Sequence, residues 1–130
     1  MLKVLYIGHG LEPFSKGGAI FYQNSLIKGI RDRGCEVVVF ISAPRYTVKN
    51  KPFLKIWYNE GIKFIELYNP PYKLGYQNDP LVQCRFPIIE TMIKKILINE
   101  KPDIVHIHEL QFFPASIIDV IANFGIASIK

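Results

Sequence analysis

A chain of 130 residues, 49% hydrophobic and with a mean hydropathy of +0.15, is long enough for one domain with its own core and too apolar for a disordered segment. Its net charge of +5 is spread over small groups (Lys28, Arg31 and Arg33; Lys49 and Lys51; Lys94 and Lys95) with no basic run interleaved with stacking aromatics. This argues against nucleic acid and for a solvated basic surface, with at most weak peripheral attraction to an acidic membrane. No apolar run approaches the roughly 18 residues of a membrane span, and the first residues lack a signal peptide's cleavage site, so the expected location is cytoplasmic.

In chain order, residues 2–7 are nearly all apolar, the pattern of a parallel strand covered on both faces. A Gly- and Pro-containing loop follows over 8–17. A helix is expected over 19–33, with Ala19, Tyr22, Leu26 and Ile30 on its inner face, Ile20 and Ile27 beside them, and Gly34 as a left-handed cap. Residues 36–41 form a second buried strand, completing a βαβ unit. After a polar loop over 44–52, short strands at 55–58 and 62–67 are joined by the hairpin signal Asn59-Glu60-Gly61.

A loop over 69–78 carries Pro70, Pro71, Tyr72 and Tyr76, with Tyr68 just before it. Asp79 then caps a helix beginning at Pro80 and running to about Asn99. Its inner face is Ile89, Met92, Ile93, Ile96 and Leu97, and Pro87 is expected to kink it or split off a first turn. Residues 103–107 are a third buried strand, 114–123 a short helix capped at Gly125, and 126–129 the start of another strand. Strands alternating with helices predict a three-layer α/β fold, a Rossmann-like domain with a mainly parallel sheet and a small β-hairpin in its middle. Cys35 and Cys84 follow no metal or disulfide spacing and read as small buried hydrophobes.

In such sheets ligands collect beyond the strand C-termini, where strand order reverses, so the loops after Ile7 and Ile107 matter most. Gly17 and Gly18 precede the first helix. Residues without a Cβ, set before unpaired N–H groups at the positive end of a helix dipole, suit a phosphate; they equally suit close packing of helix on strand. A dinucleotide fingerprint is broken, because Gly8-His9-Gly10-Leu11-Glu12-Pro13 puts proline at the third glycine and the second strand ends in Ile41-Ser42 without an acid. No Walker Gly-Lys-Ser or Gly-Lys-Thr occurs.

His106 and His108, two apart on one strand, point to the same side. Inside the apolar run, His106 reads as a hydrogen-bonded core histidine. At the strand's C-terminal end, His108 is the candidate for chemistry, able to exchange hydrogen bonds near neutral pH, with Glu109 orienting it or binding substrate. His9, His108 and Glu109 form a conceivable metal set but match no zinc spacing, so no metal is expected. The tyrosines of residues 68–76 fit sugar stacking and loop packing equally.

At these residues the chain resembles the N-terminal Rossmann-like domain of the GT-B glycosyltransferases, within them the retaining group known as group 1 or family 4. Four stretches carry the likeness: Lys3-Val4-Leu5-Tyr6-Ile7; Pro13-Phe14-Ser15-Lys16-Gly17-Gly18-Ala19; Asn59-Glu60-Gly61-Ile62-Lys63-Phe64; and Lys101-Pro102-Asp103-Ile104-Val105-His106-Ile107-His108-Glu109. The resemblance implies that the Gly17-Gly18 backbone faces the diphosphate of a nucleotide-diphosphate sugar. It places His108 as the catalytic residue beside the transferred sugar and puts His9 and Glu109 in the substrate-binding set. No cofactor or metal is implied, because helix dipoles and basic side chains meet the leaving diphosphate. The rest of the domain would bind a glycan or lipid acceptor. The family's second Rossmann-like domain, which holds most of the nucleotide, is not in this sequence. Residues 1–130 are therefore expected to be an acceptor-side domain truncated at its C-terminal end and inactive as a transferase alone. Two other readings remain: a stand-alone binding module working with a separate catalytic chain, and a metal-dependent hydrolase built on His9 and His108.

Overall fold

The computed structural model describes residues 1–9, 18–42, 45–48, 51–71, 80–110 and 113–129. The elements are β1 (Lys3–His9), α1 (Gly18–Asp32), β2 (Glu36–Ser42), β3 (Phe53–Asn59), β4 (Ile62–Tyr68), α2 (Pro80–Cys84), α3 (Pro87–Glu100), β5 (Ile104–Ile107), α4 (Ile117–Asn123) and β6 (Ala127–Ile129). The strands form one sheet in the order β3-β4-β2-β1-β5-β6. All neighbours pair in parallel except β3 and β4, which form the expected hairpin. Its turn holds Glu60 and Gly61 at φ of 50° and 76°, the left-handed pair that matches strand twist in a two-residue loop.

Alternation along the strands sorts side chains to two faces. Leu5, Ile7, Val38, Phe40, Ile65, Leu67, Val105 and Ile107 face α3 and α4 and form a buried cluster with Ile89, Ile93, Ile96, Leu97 and Ile117. Tyr6, Val37, Val39, Ile41, Ile62 and Phe64 face the other way and pack with Ile27 of α1. The result is the three-layer, mainly parallel α/β fold that the alternation of elements predicts.

Several local expectations change. Pro87 splits the long helix outright: α2 stops at Cys84, and Phe86 is extended at φ −149° and ψ 99° before proline opens α3. The inner face of α1 is turned away from the expected one. Tyr22 is 59% exposed and Leu26 and Ile30 are half-buried, whereas Gln23 and Ile27 are buried. The reason lies in β1, where a Cβ added to Gly8 would meet Gln23 Oε1 at 1.9 Å. The space that glycine leaves empty is filled by the glutamine side chain.

On α3, Met92 is only half-buried, whereas the charged Glu90 lies inside. The cysteines are not buried hydrophobes: Cys84 is exposed at the end of α2, Cys35 is half-buried, and both are free. The scattered cations are partly paired, with Arg31 Nη1 donating to the Glu60 carbonyl at 2.9 Å.

Candidate functional site

The strand order places β1 between β2 and β5, so the chain leaves β1 toward β2 through α1 on one face and reaches β5 through α3 on the other. This is the reversal point at which α/β sheets bind ligands. His108 stands there, just past β5, its backbone N–H donating to the Ile7 carbonyl at 2.8 Å. The half-buried imidazole is flanked by two phenol rings. Tyr6 of β1 lies 5.8 Å away with planes 24° apart, and Tyr22 of α1 lies 5.8 Å away at 25°. Tyr22 is one helical turn after Gly18, so the start of α1 and His108 share one end of the sheet.

Tyr6 also packs on His106, at 4.9 Å and 38°, because the two are register partners. His106 is half-buried rather than a core residue, and the Tyr6 ring is its neighbour on the α1 face. Burial, and secondly the nearby His108, lower its pKa from the ordinary imidazole value of 6.5. The Tyr6 phenol is pushed far above its ordinary range, chiefly by burial and then by Tyr22 and Glu109. Its hydroxyl is buried with no hydrogen-bond partner among the described residues.

Of the residues expected from the sequence, the structure brings together His108, Glu109 and the Gly18 end of α1. Gly17 and the rest of the glycine loop lie outside the described residues. The backbone of His9 closes β1 opposite Ser42; its side chain, and with it the conceivable His9-His108-Glu109 set, lies outside the described part. Among the described residues no group of three or more His, Cys, Asp and Glu is placed to hold a metal ion. Most of the tyrosine-rich loop, residues 72–79, also lies outside, as does the expected cap Asp79. None of the described helices is long and apolar enough to cross a membrane.

Sequence reasoning missed two contributors, Tyr6 and Gln23. Tyr6 is the polar-tipped residue within the run Val4–Ile7 of β1, and its register with His106 was a usable signal. Gln23 could be inferred only from the absence of a side chain at Gly8.

A scan of protein-family models and a search of curated proteins give no match to the chain. Among solved structures, the chain is similar to a sucrose-phosphate synthase from Thermosynechococcus elongatus, at 19% identity and a TM-score of 0.50. The superposition covers 82% of this chain and 27% of that protein, so the chain corresponds to little more than a quarter of that protein's length. At this identity the likeness is one of fold: the Rossmann-like sheet with its covering helices is shared with one part of that larger protein.

Proposed function

We propose that the chain is the acceptor-side, N-terminal domain of a glycosyltransferase that moves a sugar from a nucleotide-diphosphate donor to a glycan or lipid acceptor with retention. One observation carries the reading: His108, clasped between Tyr6 and Tyr22, stands at the sheet's reversal point beside the start of α1. The shared fold with part of a sucrose-phosphate synthase, an enzyme named for making a sugar-sugar bond, supports the same class.

In this scheme the backbone at Gly17 and Gly18 receives the diphosphate. The N–H groups and positive dipole end of α1, a helix of 15 residues, offset the negative charge that grows as the phosphate leaves. His108 donates a hydrogen bond to the transferred sugar, and the flanking rings fix its plane. His9 and Glu109 complete the substrate contacts. A second Rossmann-like domain supplies the remainder of the nucleotide site.

The test uses the protein that carries both domains, assayed against a panel of nucleotide sugars. His108→Ala is expected to lower kcat about 100-fold, the scale for losing one well-placed donor, with a smaller change in donor KM. Turnover equal to the unaltered enzyme would refute the assignment of His108.

A further inference from the structure

The edge hairpin holds a second pocket, on the α1 face but away from His108. Register sets Trp57 opposite Phe64, Lys55 opposite Glu66 and Phe53 opposite Tyr68, three cross-strand rows on one side of the hairpin. Trp57 and Phe64 stack at 4.1 Å and 7°, and Phe53 and Tyr68 meet at 5.0 Å and 31°. Between these aromatic rows lies the Glu66 carboxylate, 2% exposed. Trp57 Nε1 donates to it at 3.2 Å, and Arg45 Nε stands 3.2 Å from its other oxygen.

Asn69 brings Arg45 into place. It is buried, holds φ at 55°, donates its backbone N–H to the Arg45 carbonyl at 2.8 Å, and uses its side-chain amide on Thr47 Oγ1 and the Lys51 carbonyl. Arg45 also hydrogen-bonds the Tyr68 hydroxyl. Arg45, Lys55, Trp57, Glu66 and Tyr68 together line a cavity of about 270 Å³.

Packing alone does not require this arrangement. A buried acid costs solvation that an apolar residue in the same row would avoid. Arg45 balances Glu66, while Lys55 lies 5.9 Å from the Tyr68 ring centroid and makes no ion pair among the described residues. The cavity therefore carries one surplus positive charge beside two aromatic faces. Its volume is just below the range of drug-sized sites and suits a single ring. Aromatic faces accept the C–H face of a sugar, the carboxylate, guanidinium and phenol suit its hydroxyls, and the ammonium takes one charged substituent.

We propose that this pocket binds a single sugar ring bearing one negative substituent, a carboxylate or a phosphate. It lies three strand spacings from β5, about 14 Å, and is separate from the His108 site, so it does not depend on the transferase reading.

Trp57 is the chain's one tryptophan, so its emission reports on the hairpin, and the Lys55 variant below ties a change to this pocket. The chain is titrated with glucuronate, glucose 6-phosphate, glucose, benzoate and inorganic phosphate. Saturable emission changes are expected with the two anionic sugars, with glucose about tenfold weaker for want of the charge-assisted contact. Lys55→Gln, a change at an exposed side chain, is expected to bring both anionic sugars down to the glucose level with an unchanged far-UV circular dichroism spectrum. A flat response to both anionic sugars, glucose or benzoate binding as tightly as glucuronate, phosphate alone matching glucose 6-phosphate, or unaltered affinity in Lys55→Gln would each overturn the proposal.

Discussion

The two faces of this one sheet serve different ends. Under α3 and α4 the described residues form a cluster of sixteen buried hydrophobic side chains. Under α1 the corresponding cluster has seven, and the same face carries the buried side chains of Gln23 and Glu66, the orphaned Tyr6 hydroxyl, His106 and His108. Full burial of an aliphatic side chain stabilises by about 1.5–3 kcal/mol, whereas a buried hydroxyl without a partner costs about 1–3 kcal/mol. The contrast shows a division of labour. One face supplies the stability that lets the other hold polar groups in positions that packing alone would not choose.

The largest expected effect lies on the apolar face. Ile93 is fully buried, and Ile93→Ala should lower unfolding free energy by about 2–5 kcal/mol, seen as a lower urea midpoint at unchanged slope. Tyr6→Phe should do the opposite. It deletes a hydroxyl that has no partner among the described residues while keeping the ring against the histidines, so stability should rise by about 1 kcal/mol in the same urea experiment. Loss of stability in Tyr6→Phe would break the comparison, because it would mean that the hydroxyl is held by a partner.

The smallest effect concerns Glu90, the charged residue at the rim of the apolar face. Its carboxylate accepts from Arg85 Nη2 at 3.2 Å, the Phe86 N–H at 3.2 Å and Ser116 Oγ at 2.9 Å. Arg85 foremost, with help from Ser116 and Phe86, holds the carboxyl below its ordinary value of 4.5. The folded chain thus releases this proton more readily than the unfolded one. The stabilisation is present above the ordinary carboxylate value and is lost as pH falls through the lower folded value. Glu90→Gln should flatten the acid limb of thermal stability as pH falls below the ordinary carboxylate value; an unchanged limb would assign it to other groups.

Much of this architecture is legible in the residues because local and global signals agree. The apolar runs at β1, β2 and β5, the Glu60-Gly61 turn and the proline that divides α2 from α3 each act through backbone sterics or simple burial. What escapes is set by tertiary partners. Tyr22 has helical spacing with Leu26 and Ile30, yet α1 turns Gln23 inward because Gly8 leaves room for it. Glu90 is drawn inside by Ser116, which gives its hydroxyl to the carboxylate and leaves α4 without a side-chain cap. Glu66 shares parity with the buried Ile62 and Phe64, a pattern that hides a charge inside, and the arginine that balances it comes from the segment after β2. At the site itself, the place of His108 follows from the order of elements, while its clasp by Tyr6 and Tyr22 depends on how α1 is rotated.

That rotation has a mechanical meaning. With the Gln23 amide lodged in the notch at Gly8, α1 is keyed to the central strand like a cog tooth. Neither sliding nor spinning is open to the helix without driving the tooth into main chain. The orientation of everything mounted on its leading end, Tyr22 included, is thereby indexed to one strand residue, and a methyl group at position 8 would push the tooth out of its notch.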